Sequence, residues 1–119
     1  MKQITNSKQY DLEKRTLEFA KKVRFFVRSI PRTISNIEDC KQLIRASGSI
    51  GANYIEANES LSKKDFVMRI KICKKEAKES CYWLNLLNIN PELEKEKLAL
   101  IKEATELMKI FGAIIEKSK

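Results

Sequence analysis

The chain contains no histidine. That excludes Ser–His and Cys–His nucleophile pairs, His-ligated zinc and His-based RNA cleavage. Glycine and proline are scarce, at three and two among 119 residues. An all-β chain needs more tight turns than those can supply. No apolar run reaches the length of a membrane span, and the basic start lacks the apolar segment of a secretory signal. The sequence therefore predicts a cytoplasmic protein without a membrane partner. The three cysteines, Cys40, Cys73 and Cys81, are an odd set without C-x-x-C spacing. On one helix, Cys73 and Cys81 would stand about 12 Å apart, beyond disulfide reach. All three read as reduced, small apolar packers. Neither a metal site nor a cofactor is expected.

What is present points to one helical domain over residues 1–119. Hydrophobic residues make up 43% of the chain, enough to bury a core, and charged residues 34%. Residues 1–10 are polar and read as a frayed end. From Asp11, the residues Leu12, Thr16, Phe19, Val23, Phe26 and Ile30 recur at spacings of four and three, predicting a helix over 11–30 that Pro31 stops. A second helix is expected over 36–58, with Asn36 as its N-cap. Its core face would be Ile37, Cys40, Ile44, Ser47, Gly51 and Ile55, widened by Leu43, Ile50 and Tyr54. Gly48 and Gly51 inside it cost about 1 kcal/mol each relative to alanine. That implies either a close helix approach or a loop breaking the helix. The segment Ser62-Lys63-Lys64-Asp65 resembles a capping box, opening a third helix over 63–89 whose stripe runs Phe66, Ile70, Cys73, Ala77, Ser80, Leu84 and Leu87. Asn90-Pro91 opens a fourth over 91–117, with Leu93, Leu100, Ala104, Leu107, Phe111 and Ile114 inward. Short links make neighbours antiparallel, so the expected fold is an all-α, up-down four-helix bundle.

The net charge is +8, from 24 Lys and Arg against 16 Asp and Glu. Residues 1–35 carry +6 and residues 62–90 carry +4, whereas 36–61 carry −2 and 91–119 are neutral. Opposite the core stripe of the first helix lie Lys14, Lys21, Arg24 and Arg28, with Leu17 and Phe25 among them. On the third, Lys71, Lys74, Lys75 and Lys78 share a side. These faces are either ordinary solvated surface or an electrostatic footprint for nucleic acid. Phe25 there would stack on a base or pack against a neighbouring subunit. Met68, Ile72, Trp83 and Leu86 lie off the core stripe of the third helix. They form either a widened core or a subunit interface anchored by Trp83. On the second helix, Arg45, Ser49, Asn53 and Glu56 line up away from its apolar face. They make a plain polar stripe or one wall of a groove facing the Lys74–Lys78 side of the third helix.

The run Ser49-Ile50-Gly51-Ala52-Asn53-Tyr54-Ile55-Glu56-Ala57, preceded by Arg45-Ala46 and followed by Lys75-Glu76-Ala77-Lys78-Glu79-Ser80 and Tyr82-Trp83-Leu84, resembles the four-helix bundle family of 23S ribosomal RNA intervening-sequence proteins. The dense match covers about 40 residues, and the helical layout fits almost the whole chain. Many members follow the Asn-x-x-Glu run with Gly, whereas this chain has Ala57-Asn58. The resemblance implies a small bacterial protein that forms rings, with a pentamer as the expected state. It also implies relatedness to the accessory protein of diversity-generating retroelements, hence RNA as partner and no enzymatic activity. The leading expectation is a non-enzymatic, RNA-binding homo-oligomer using Lys14, Lys21, Arg24, Arg28, Lys71, Lys74, Lys75 and Lys78. The alternative is an oligomeric scaffold for a protein partner. An enzyme would need convergent carboxylates or a histidine, and the sequence offers neither.

Overall fold

Apolar residues at three- and four-residue spacing are buried by pairing helix with helix, and this chain does so four times. The structure, a computed structural model, describes the backbone of residues 2–119 and the side chains of residues 11–119. The elements are α1 (Lys2–Val27), α2 (Ile34–Asn58), α3 (Lys63–Leu86), a 3₁₀ turn (Pro91–Leu93) and α4 (Glu94–Lys117). Helices α1 and α3 each pack on both α2 and α4, and the backbones of the diagonal pairs stay apart. This is the expected up-down four-helix bundle. Among the described residues, no helix is long and apolar enough to cross a membrane.

Helix α1 begins at Lys2 rather than Asp11, because residues 2–10 contain no Pro or Gly to stop it extending backwards. The side chains of that expected frayed end lie outside the described residues. The helix ends at Val27, not Ile30. The N–H groups of Arg28, Ser29 and Ile30 turn back three residues to the carbonyls of Phe25, Phe26 and Val27. Such tightening is usual at helix ends and still buries Ile30.

The N-cap of α2 is Thr33, not Asn36. Thr33 has extended backbone, and its hydroxyl accepts from the Asn36 N–H at 3.2 Å. Asn36 already has helical backbone, so its amide is free for another task. It is buried between the α1–α2 and α3–α4 links. Its Nδ2 donates to the carbonyls of Pro31 (3.0 Å) and Asn88 (2.8 Å), and its Oδ1 accepts from the Asn88 N–H (3.0 Å). Those bonds occupy the Asn88 backbone, and α3 ends at Leu86 instead of residue 89, with Leu87 extended.

Helix α2 is also turned relative to the expected core face. Its buried residues are Leu43, Ala46, Ser47, Ile50, Tyr54 and Ala57, whereas Ile55 is half exposed. The Gly51 edge faces α1. A Cβ on Gly51 would stand 2.9 Å from Thr16 Oγ1 and 3.3 Å from Thr16 Cβ. The helix runs unbroken through Gly48 and Gly51, so close approach, not a loop, explains the glycines. Buried Thr16 keeps its hydroxyl satisfied by donating to Leu12 O at 2.8 Å.

Helix α3 starts as expected, with the Ser62 hydroxyl accepting from the Asp65 N–H. The Asn90 side chain makes no cap bond, and Pro91 opens a 3₁₀ turn before α4. The core joins Phe19, Val23 and Phe26 of α1 to Ile50, Ile70, Leu84, Leu107 and Phe111 from the other helices, and the Tyr54 ring packs tilted on Phe111. All three cysteines are free thiols. Cys73 is buried and donates to Ile50 O at 3.4 Å, and burial pushes its thiol up to about 12.

These contacts set the outcome of three substitutions. Asn36→Ala strands three backbone groups at the joined ends and should lower stability by about 2 kcal/mol in urea denaturation. Gly51→Ala should also destabilise, although alanine is the better helix former by about 1 kcal/mol. The loss should shrink in a Thr16→Ala background. Gly112→Ala should instead stabilise, because its Cβ would meet only the mobile end of Lys74, 3.7 Å away at Nζ. Chemical denaturation reads all three, with a double-mutant cycle for Gly51 and Thr16.

Candidate nucleic-acid interface

Core packing decides which way each basic face looks. The apolar stripes of α1 and α3 point to the bundle centre, so the residues opposite them point outward. All eight expected cations are exposed: Lys14, Lys21 and Arg24 on α1, Arg28 in the turn just past its end, and Lys71, Lys74, Lys75 and Lys78 on α3. Among the described residues, the ion pairs formed are Arg15 with Glu103 and Glu106, and four-residue-or-closer pairs at Lys41–Glu38, Lys97–Glu94 and Lys119–Glu116. None of these uses any of the eight. Because α1 and α3 are diagonal, the two faces look away from each other. They do not merge into one patch on a protomer.

Two of the eight are drawn sideways. Arg24 donates to Ala20 O at 3.1 Å, and its guanidinium covers Gly48 of α2. Lys74 leans over Gly112 of α4. The remaining α3 cations, Lys71, Lys75 and Lys78, follow one another at helical spacings of four and three along the outward line. On α1, the Phe25 ring is 65% exposed, and the Arg28 guanidinium lies 5.7 Å from its centroid.

The stripe Arg45, Ser49, Asn53 and Glu56 does meet α3, though not on the Lys74–Lys78 side. Asn53 Nδ2 donates to Ser49 O and Oγ, both at 2.9 Å, and its Oδ1 accepts from Arg69 Nη1 at 2.9 Å. Burial pushes the Glu76 carboxyl up. Glu79 adds to this, while Lys75 and Arg45 oppose it. Arg69 and Glu76, one heptad apart on α3, thus complete a polar seam with α2. Sequence reasoning missed both. The available signal was register: antiparallel pairing of Ile50 with Cys73 carries Asn53 to Arg69 and Arg45 to the level of Glu76.

The apolar group on α3 is divided. Met68 and Leu86 are 48% and 44% exposed, whereas Ile72 is half-buried. Trp83 is half-buried too and packs against the core, with Tyr82 meeting it edge-on at 5.1 Å. Trp83 therefore has one part against the core and another at the surface.

A further feature had no signal in one helix alone. Between α1 and α4 runs a groove of about 920 Å³, lined by Lys14, Lys21, Lys22, Phe25 and Lys102 among others. Arg15 spans it. Its Nε and Nη2 donate to the Glu103 carboxylate at 2.7 and 2.9 Å, and Nη2 also donates to Glu106 at 2.9 Å. The bond to Glu103 pushes the Arg15 pKa further up, so the guanidinium stays charged at any working pH. Among the described residues, no three Cys, Asp or Glu side chains converge as metal ligands.

Comparison with known proteins follows the same outline. A family model described as 23S rRNA-intervening sequence protein matches residues 8–113. The chain is also similar to a crystal structure from Bacteroides thetaiotaomicron, a protein of unknown function from the S23 ribosomal protein family. The identity is 30% and the TM-score 0.76, over 92% of this chain and 98% of that one. No curated protein matches the sequence. With nearly the whole bundle inside the family match, the chain belongs to the 23S rRNA-intervening sequence proteins.

Proposed function

We propose that this protein is a non-enzymatic, RNA-binding homo-oligomer, with the outward cations of α1 and α3 as its phosphate contacts. The observation that carries this reading is eight exposed cations, on faces the core leaves free, none paired with a carboxylate among the described residues. Lysine and arginine bind phosphate largely through charge, releasing condensed counterions. Binding is therefore broad in sequence and steep in salt. The family's own description, tied to ribosomal RNA inserts, supports RNA over DNA as partner. With no histidine in the chain, no imidazole is available as a general base, which supports binding without turnover.

Self-association follows from the second set of residues. Met68, one turn from half-buried Ile72, and Leu86 near the far end of α3 leave apolar surface exposed that a second copy would cover. Resemblance to ring-forming relatives makes the pentamer the proposed state. A ring also answers the back-to-back placement of the basic faces, because symmetry repeats each face around the assembly. The same exposed apolar residues favour a second reading, an adaptor whose partner is another protein.

The quadruple variant Lys71→Glu, Lys74→Glu, Lys75→Glu, Lys78→Glu should keep its helical circular dichroism and lose at least tenfold in RNA affinity by fluorescence anisotropy. Its log–log salt slope should flatten by about 3, from four lost single-strand phosphate contacts. Unchanged affinity in that variant would remove α3 from the interface. No RNA binding by the wild type at low salt would favour the adaptor. Met68→Asp with Leu86→Asp should reduce the light-scattering mass from a multiple of the chain mass to that of one chain, with the fold intact. A wild-type monomer would overturn the oligomer.

A further inference from the structure

The cations on both outward faces are accompanied by an aromatic ring that the core does not need. On α3, Tyr82 continues the row Lys71, Lys75, Lys78 at the next four-residue step. The four lie on one line of the helix over about 16 Å. Tyr82 is 58% exposed, and its ring is held edge-on by Trp83 at 5.1 Å rather than lying flat on the bundle. On α1, Phe25 stands between Lys21 and Arg28 and is 65% exposed, although a phenylalanine gains nothing from water.

The geometry points to single-stranded RNA as the ligand class of these faces, with an unpaired base stacking on Tyr82 and another on Phe25. This rests on the RNA-binding reading above and sharpens it. A duplex presents phosphates to lysines equally well, but its bases are already stacked on each other and offer no free face to a ring. An exposed aromatic beside a row of cations is the pairing that single strands use: charge tracks the backbone, and the ring takes the base. Arg28 over Phe25 supplies a second planar cation beside that ring. The edge-on contact with Trp83 favours one placement of the Tyr82 ring, which lowers the side-chain freedom lost on stacking.

The test compares a labelled unstructured 12-nucleotide RNA with an RNA hairpin of equal charge whose loop is a linker without bases, on wild type, Tyr82→Ala, Phe25→Ala and Tyr82→Phe. Wild type should prefer the single strand. Each alanine variant should lose about fivefold or more on the single strand, little on the hairpin, and keep its salt slope, since no charge is removed. Tyr82→Phe should bind like wild type, because the ring face is retained. Circular dichroism melting checks that both exposed sites tolerate alanine. Equal binding of single strand and hairpin, with neutral alanine variants, would overturn stacking while leaving RNA binding in place. Failure of wild type to bind either RNA at low salt would instead overturn the RNA-binding reading itself, and this inference with it.

Discussion

The bundle depends on how α2 is rotated about its own axis, and Asn36 holds that rotation. One buried amide bonds to Pro31 at the end of α1 and to both backbone groups of Asn88 at the end of α3. Its three bonds form only when Asn36 points inward. With Asn36 inward, Leu43, Ile50, Tyr54 and Ala57 follow it to the centre at helical spacing. Gly51 then falls against Thr16 on one side, and Asn53 against Arg69 on the other. Burial of apolar area supplies most of the driving force, but it is tolerant of small rotations. The amide is not, since a buried polar group without partners costs about as much as a lost core methyl or more.

The same rotation decides what the polar stripe on α2 can do. Arg45, Ser49 and Asn53 are drawn into a seam with Arg69 and Glu76, where Asn53 uses both amide donors on Ser49 and its oxygen on Arg69. A side chain satisfied in this way orders its neighbours. The outward cations of α1 and α3 make no comparable bonds with carboxylates among the described residues, and remain available to a ligand.

The helices themselves were legible in the sequence. Three- and four-residue spacing located the buried stripes of α1, α3 and α4, and Ser62 marked the start of α3. Helix α2 was read out of phase because it is apolar on two sides. Ile37, Ile44 and Ile55 compete with Leu43, Ile50 and Tyr54, and only the partner helices decide which line faces the centre. Asn36 misled for a related reason, since an asparagine near a helix start fits either an N-cap or a tie to a distant link. The cations of the candidate site could be found on a helical wheel because they need no partner to be outward. Arg15, Glu103 and Glu106 could not, because their meaning lies in a contact between helices about 90 residues apart in the chain.

Charge explains why this arrangement tolerates a net +8. The two basic segments fold as α1 and α3, and the bundle sets them on its diagonal. Neighbouring helix axes in such bundles lie about 8–10 Å apart, which places diagonal axes about 13 Å apart. Outward side chains on opposite corners are farther apart still, well beyond the screening length of about 8 Å at physiological ionic strength. Between them stand α2, from a segment of net −2, and α4, from a neutral one. Opposite charges meet at both seams: Arg15 of α1 grips Glu103 and Glu106 of α4, and Glu76 of α3 sits near Arg45 of α2. Exposed pairs of this kind add little stability singly. Their larger effect is to let two strongly positive faces coexist on one small fold with little mutual repulsion. A protein selected only for stability would have no reason to concentrate its excess charge on two helices. The concentration makes sense if those faces meet a polyanion.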